Sequence, residues 1–305
     1  MGHLPKFLKS SISITLLSLF LFDFLFSLEE EIWSEKENLI FKIYYRELCP
    51  GEVLMIMIEN SEITYAEAWI FQKKFPFYRS RRNYILFTLI GIDLFTKPDH
   101  YPIILKIKTK SSKTIEIKRF IEIKEKYFPI KKIYVDEKYV TPPPSVINRI
   151  KREQEILNRI LQIFTPQYLF EKEFIPPLVE KGKRNFGEIR VFNLKRESRH
   201  TGVDIPAPSG EEVKASNNGK VVLAQDLYYS GKTIIIDHGF GLFSLYCHLS
   251  KINVNEGQQV NKGDIIGKVG ATGRVTGPHL HWGFKLNGAR IDPYSILELP
   301  LKILD

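Results

Sequence analysis

Two histidines, His279 and His281, stand one residue apart in a strand-like stretch near the carboxyl end of the chain. Side chains two residues apart on a β-strand point to the same face of the sheet. The spacing therefore predicts two imidazoles presented together, with Leu280 and Trp282 on the opposite face.

Three more residues that can bind a metal or move a proton precede this pair. His200 and Asp204 form a His-x-x-x-Asp pair, and His248 lies in a strand-like segment between the two motifs. A catalytic zinc takes three protein ligands, drawn from neutral imidazole and carboxylate, and leaves one position for water. Two histidines and one aspartate would leave one positive charge on the site, which favours ionisation of the water. Further imidazoles nearby can accept and donate protons.

These motifs resemble the three signature motifs of the lysostaphin-type, or LytM-like, zinc endopeptidases, which cut peptide cross-links in bacterial peptidoglycan. The resemblance runs from about Phe174 to Leu299. It implies that His200, Asp204 and His281 bind one zinc ion. It also implies that His248 and His279 are an unliganded catalytic pair, of which one takes the proton of water and the other stabilises the oxyanion. Which histidine takes which role is open at this point.

Three further side chains are candidates for substrate binding. Tyr246 lies two residues before His248, so it is predicted to face the same groove, where its hydroxyl would donate to the oxyanion. The alternative for Tyr246 is packing within the sheet. Arg190 and Asn193 precede the first motif and are predicted to contact substrate. The same alternation predicts that the other side chains of the strand face the core: Phe243, Leu245 and Cys247. His238, in a turn, is predicted to have a structural role.

The amino terminus is typical of a secretory signal. Two lysines precede an apolar run from Ile12 to Phe22, and Asp23 then interrupts it. No Ala-x-Ala site follows, so residues 1–28 are predicted to be either a signal peptide or a membrane anchor, with membrane contact through residues 11–28. Either case predicts export, to the periplasm or cell envelope. The alternative is a buried core helix.

The chain is basic, with a net charge of +9. Between Leu105 and Val135, ten basic residues stand against three acidic ones. Basic patches can bind nucleic acid, but the chain has no nucleic-acid motif, and no such partner is expected. For an exported protein, the anionic cell wall or lipid headgroups are the favoured partners of this segment. A solvated face of a sheet is the alternative.

The length of 305 residues and the strand patterns predict a mainly β fold with two domains. Residues 34–140 are predicted to form an antiparallel β-sandwich, which resembles the immunoglobulin-like domain ahead of the peptidase in some family members. Residues 141–173 are predicted to be a Pro-rich hinge and helical linker. Its helix is predicted to be capped by Ser145, to run to about Phe164, and to dock along either domain or across the groove. Residues 174–305 are predicted to form the LytM-like antiparallel β peptidase domain.

The resemblance implies a zinc metallo-endopeptidase that hydrolyses peptide cross-links or stem peptides of peptidoglycan. The alternative is a non-enzymatic LytM-like regulator that activates a separate cell-wall amidase. Such a relative is expected to lose at least one ligand, whereas all five positions are filled here. Residues 254–267 also resemble a biotin or lipoate carrier hairpin, but they lack the exposed lysine turn that a carrier needs. The predicted sandwich is a wall-binding module, a spacer or an inhibitory cover of the groove.

Overall fold

The computed structural model describes residues 28–35, 39–81, 84–179 and 184–305. The predicted signal or anchor falls on residues 1–27 and so lies outside the described residues, apart from Leu28 at its end. Within the described ranges, no helix is both long enough and apolar enough to cross a membrane. The fold is mainly β, as predicted, and two α-helices occur in this part of the chain.

The amino-terminal part is a β-sandwich of two antiparallel sheets. Alternating burial builds its core: Ile103, Leu105 and Ile107 are at most 1% exposed, and the side chains between them are not buried. One sheet has the strand order 1-2-3-7-6 and the other has the order 5-4-8-9. The strands are β1 (Glu29–Glu35), β2 (Leu39–Tyr45), β3 (Val53–Glu59), β4 (Ile63–Ile70), β5 (Lys73–Pro76), β6 (Tyr78–Arg79), β7 (Ile85–Gly91), β8 (Asp99–Thr109) and β9 (Thr114–Ile123).

The remainder of the chain is built on a seven-stranded antiparallel sheet of order 13-21-17-16-15-19, with strand 22 paired to strand 21. Two three-stranded sheets, of orders 14-20-18 and 10-11-12, flank it. The elements are β10 (Ile130–Ile133), α1 (Pro144–Ile160), β11 (Ile189–Phe192), β12 (Arg196–Arg199), β13 (Val203–Pro206), β14 (Glu212–Lys214), β15 (Gly219–Leu227), β16 (Gly231–Asp237), β17 (Leu242–Leu249), β18 (Lys251–Ile252), β19 (Gln259–Val260), β20 (Ile265–Lys268), β21 (His279–Leu286), β22 (Ala289–Ile291) and α2 (Pro293–Leu297). Short 3-10 helices occur at Glu137–Tyr139 and Leu301–Leu304.

Strand β10 joins the two parts of the chain. The last strand of the sandwich ends at Ile123, and β10 pairs in parallel with β11, which places Ile130 opposite Ile189. The predicted division at residue 140 therefore does not coincide with the hydrogen bonding. A strand pattern shows which residues are extended, but it does not show which sheet the strand enters.

Helix α1 lies on the seven-stranded sheet. It begins at Pro144, so the predicted N-cap Ser145 lies inside its first turn, and it ends at Ile160 rather than near Phe164. Proline fits the first helical position because an N–H group there has no acceptor within the helix, so its absence costs no hydrogen bond. The docking face of α1 and the sheet residues it covers form one apolar cluster: Ile156, Leu157, Ile160 and Leu161 with Leu223, Leu227, Ile235 and Phe243.

The sandwich and the seven-stranded sheet share one hydrophobic core. A single buried cluster contains Met55 and Phe87 from the sandwich together with Trp282 from β21. The backbones also meet closely, since a Cβ on Gly91 would lie 2.8 Å from Cβ of Ala289.

A buried ion-pair network ties the same interface. Arg46, from the sandwich, lies 2.6 Å from Glu52 and 2.9 Å from Asp292, which caps α2.

Strands β3 and β7 are buried on both faces, which explains their unbroken apolar runs. The two parts therefore share one core, and the sandwich has a second core between its own two sheets.

Candidate active site

The register of β13 and β21 brings the predicted motifs together. Asp204 lies directly opposite His281 in this antiparallel pair. Because paired residues share a face, Asp204, His279 and His281 point to one side of the sheet. Leu280 and Trp282 point to the other side, where both are fully buried.

His200 completes a compact group of metal-binding side chains. It precedes β13, and its Nε2 lies 2.9 Å from Asp204 Oδ1 and 2.9 Å from His281 Nδ1. His281 Nδ1 lies 3.0 Å from the same carboxylate oxygen. The three residues predicted as ligands therefore present one atom each to a common point, in an arrangement that could hold a metal ion.

The tautomer of His200 supports this interpretation. Its Nδ1 lies 2.8 Å from the carbonyl oxygen of Asn185, which can only accept, so Nδ1 carries a proton, and in the neutral ring Nε2 carries a lone pair. That lone pair faces Asp204 Oδ1, so two acceptors meet at 2.9 Å in a site where His200 is 4% exposed. Such a contact needs a positive charge, supplied either by a second proton on the ring or by a cation that both atoms bind. A metal ion supplies that charge, and the donor set fits one.

Asp204 is held in its charged form. Burial alone would raise its pKa, but His200 and His281 bring the pKa well below its ordinary value. Its second oxygen, Oδ2, accepts a hydrogen bond from Arg190 at 2.7 Å. Arg190 lines the cleft, and it also pairs with Glu188 at 3.1 Å. Two carboxylates thus engage Arg190, which positions Asp204 and leaves Oδ1 free to face the histidines.

The two remaining histidines of the set face the same cleft. His248 Nδ1 donates to the carbonyl oxygen of Thr272 at 2.8 Å, and His279 Nδ1 donates to that of Gly277 at 2.9 Å. In its neutral form each ring presents an Nε2 lone pair. The ring centroids lie 5.0 Å apart, and His279 Nε2 lies 3.6 Å from Asp204 Oδ1. Burial, followed by the neighbouring His281 and His279, lowers the pKa of His248 to about 3. His248 is neutral near pH 7 and can accept a proton.

The prediction for Tyr246 was wrong. Its side chain is fully buried on the core side, and its hydroxyl accepts a hydrogen bond from the Ser216 N–H at 2.9 Å. Leu245 and Cys247, which were predicted to face the core, line the cleft instead. The physical reason is the backbone of His248, whose φ of 64° interrupts the strand alternation. His248 thereby reaches the face that Cys247 occupies.

The prediction that Asn193 contacts substrate was also wrong. Asn193 lies between β11 and β12 with a φ of 47°, a conformation that asparagine tolerates better than most residues. Its side chain accepts from the Val135 N–H at 2.9 Å and donates to the Val135 carbonyl at 3.0 Å. It fixes the segment after β10 and does not line the cleft.

The cleft that contains the site has a volume of about 910 Å³. Residues 131–135, from β10 and the segment that follows it, form part of its wall, as does Arg274. Residues 131–135 fall within the range predicted as the sandwich, 34–140, and Leu157 of α1 also lines the cleft, whereas no described residue of strands β1–β9 does. Sequence reasoning missed Arg274, although a basic residue in the loop leading into the His-x-His motif was a usable signal.

Comparison with known proteins identifies the family. The model of peptidase family M23 matches residues 198–293. The crystal structure of a candidate peptidase M23 from Pseudomonas aeruginosa superposes with a TM-score of 0.61 at 31% identity, and the match covers 82% of this chain and 94% of that one. The chain belongs to peptidase family M23. This membership confirms the resemblance that the histidine motifs indicated.

Two curated proteins resemble this M23 chain over shorter stretches. Peptidoglycan DD-endopeptidase ShyA of Vibrio cholerae is 43% identical over 109 residues, which cover 35% of this chain and 25% of ShyA. DD-carboxypeptidase/endopeptidase Mpg of Neisseria meningitidis is 42% identical over 97 residues, which cover 32% of this chain and 22% of Mpg. The M23 chain thus spans about a quarter of the length of the curated relatives it matches.

Proposed function

We propose that this M23 protein is a zinc-dependent endopeptidase that hydrolyses peptide cross-links or stem peptides of bacterial peptidoglycan. The observation that carries the proposal is the meeting of His200, Asp204 and His281 within 3.0 Å, beside two imidazoles whose rings are fixed through Nδ1. The similarity to ShyA, a peptidoglycan DD-endopeptidase, supports this substrate class. It favours D-alanyl cross-links to a diamino acid over glycyl bridges.

Three atoms would hold the zinc: His200 Nε2, His281 Nδ1 and Asp204 Oδ1. Imidazole and carboxylate are usual donors for this ion. When bound, zinc supplies Lewis acidity, which polarises the scissile carbonyl and lowers the pKa of water. The hydrogen bonds to the Asn185 carbonyl and to Arg190 fix the orientation of His200 and Asp204.

His248 and His279 would carry out the proton transfers. A neutral imidazole accepts the proton of the attacking water at Nε2, and a protonated imidazole donates from Nε2 to the developing oxyanion. The carbonyl groups of Thr272 and Gly277 hold both rings so that Nε2 points into the cleft. Either ring meets the geometric requirement of either role, and the pair divides the two roles between its members.

The alternative of a non-enzymatic regulator is not favoured. A regulator is expected to lack at least one ligand, whereas this chain has all three ligand residues and both free histidines in one cleft. Peptidoglycan lies outside the cytoplasmic membrane, so the proposed function places the protein in the periplasm or cell envelope. The predicted export segment, residues 1–28, agrees with this location.

Digestion of purified cross-linked peptidoglycan, followed by mass spectrometry, tests the proposal. The zinc-loaded protein is expected to release cross-link fragments, and chelation or His281→Ala is expected to abolish them. His100→Ala is the matched control, because His100 is an exposed histidine of the sandwich, and it should leave the activity unchanged. Bound zinc without any fragments would favour the regulator instead.

A further inference from the structure

Arg274 lies on the loop that orients both free histidines of the site. This loop, residues 269–278, contains Thr272 and Gly277, whose carbonyl groups hold the two rings. The loop is itself fixed, since Arg274 N–H donates to the Tyr229 carbonyl at 2.8 Å and the Thr272 hydroxyl donates to the Leu249 carbonyl at 2.8 Å. The position of Arg274 relative to the histidines is therefore set by the main chain.

The guanidinium of Arg274 rests on two aromatic rings in the cleft. Its Cζ lies 4.1 Å from the ring centroid of Phe192 and 5.2 Å from that of Tyr229. Cation–π contacts of this kind orient the plane of a guanidinium without using its N–H donors. The donors of Arg274 therefore remain free to bind another group.

No carboxylate of the described residues pairs with Arg274. The contrast with Arg190 in the same cleft is clear, because Arg190 pairs with both Glu188 and Asp204. Burial, and then the charge of Arg196, lower the pKa of Arg274 to about 10. The group stays charged near pH 7, but its surroundings are short of negative charge.

The whole cleft has the same imbalance. Five basic residues line it: Lys131, Lys132, Arg190, Arg199 and Arg274. Only two of its lining residues are acidic, Glu188 and Asp204, and both are engaged with Arg190. A partly buried, oriented and unpaired guanidinium in a basic cleft is suited to an anionic group on the substrate.

We propose that Arg274 forms a subsite for a free carboxylate of the peptide substrate, next to the bond that is cleaved. The proposal rests on the peptidase function proposed above. In a D-alanyl cross-link, the diamino acid that supplies the scissile nitrogen can retain a carboxylate on the adjacent carbon. A planar guanidinium binds such a group through two parallel N–H···O bonds. The subsite would distinguish a free carboxylate from its amide.

Two synthetic cross-linked peptides test this subsite. They differ only at the diamino acid, which carries a carboxylate in one peptide and a primary amide in the other. The zinc-loaded full chain is expected to prefer the carboxylate peptide by about 10- to 100-fold in kcat/KM, the loss typical when one partner of a charged hydrogen bond is removed. Arg274→Gln is expected to abolish the preference by slowing cleavage of the carboxylate peptide alone. Arg274→Lys should retain part of it.

Arg152→Gln is the matched control, because Arg152 is exposed on α1 and lies outside the cleft lining. It should leave the preference unchanged. Equal kcat/KM for the two peptides with the wild type would overturn the proposal. An equal loss on both peptides in Arg274→Gln would also overturn it, since that result indicates a structural role.

Calorimetric binding of the uncleavable diamino acid product separates this proposal from the proposed function. If the wild type cleaves neither peptide, the peptidase proposal fails, yet binding still decides the subsite. Tighter binding of the acid than of the amide, lost in Arg274→Gln, supports the subsite. Equal binding of acid and amide by the wild type refutes it.

Discussion

Removal of one hydroxyl, in Tyr246→Phe, separates a structural from a catalytic role for this tyrosine. The hydroxyl is fully buried, accepts from the Ser216 N–H at 2.9 Å, and lies 2.9 Å from Ser216 Oγ and 3.0 Å from Ser244 Oγ. A buried hydrogen bond contributes about 1 kcal/mol, and a buried donor left without a partner costs about 1–3 kcal/mol. We expect the free energy of unfolding to fall by about 2–3 kcal/mol.

Urea unfolding and peptidoglycan hydrolysis, measured on the same preparations, check this expectation. Because the hydroxyl faces away from the cleft, kcat/KM for Tyr246→Phe should stay within about twofold of the wild type below the unfolding transition. Ser244→Ala is the matched control, since it shortens the same buried hydrogen-bond chain and should also lower stability alone. A tenfold or larger loss of kcat/KM with unchanged stability would refute the placement of Tyr246 in the core.

Three further perturbations test the site and its support. Arg190→Gln removes a hydrogen bond to Asp204, so zinc affinity should fall about 10- to 100-fold in a chelator competition; unchanged affinity would contradict the positioning role. His248 has a φ of 64°, a left-handed conformation that asparagine tolerates and valine does not. The free energy of unfolding of His248→Asn should therefore lie within about 1 kcal/mol of the wild type, whereas that of His248→Val should be about 1–2 kcal/mol lower. Equal urea midpoints for the two variants would count against the left-handed backbone. Burial lowers the pKa of His238 from 6.5 to about 4, so only the unfolded ring binds a proton between these values. The free energy of unfolding should therefore fall by about 3 kcal/mol as pH drops through this window, and His238→Gln should flatten this part of the dependence of stability on pH. The same dependence in His238→Gln and the wild type would argue against the lowered pKa of His238.

Part of the candidate metal-binding group was accessible from short spacings, whereas the assignment of His200, Asp204 and His281 as the ligands came from the family resemblance. The period of a strand places His279 and His281 on one face, and Asp204 then meets His281 through a regular antiparallel register. The sandwich was predictable for the same reason, since its β8–β9 hairpin alternates cleanly.

The errors arise where local geometry departs from regular periods. Tyr246 was predicted to lie in the groove because regular strand alternation was assumed from Tyr246 to His248. No sequence pattern predicts that a histidine adopts a left-handed backbone conformation, as His248 does. Asn193 was close to the motif along the chain, but its side chain binds Val135, a partner distant in sequence. The hydrogen bonds that fix the histidine rings are accepted by main-chain carbonyl groups. Every residue type has such a carbonyl group, so these bonds cannot be predicted from the sequence.

The shared core was also missed, although a signal for it was present. An antiparallel sandwich strand with one solvated face alternates, whereas β3 and β7 are nearly unbroken apolar runs. Burial on both faces means that a second layer must cover the outer side of this sheet. The partner layer could not be identified from the sequence, because its residues lie far along the chain, from Phe170 onward.

The close fit between the sandwich and the peptidase sheet makes the sandwich a rigid arm rather than a tethered module. Gly91 packs closely against Ala289, and Arg46 forms a buried ion pair with Asp292, so a hinge rotation between the two parts would break both contacts. The direction in which the cleft opens is therefore constant relative to the outer surface of the sandwich. Under the proposed function, a contact between that surface and another component would therefore also set the direction from which the cleft meets its substrate.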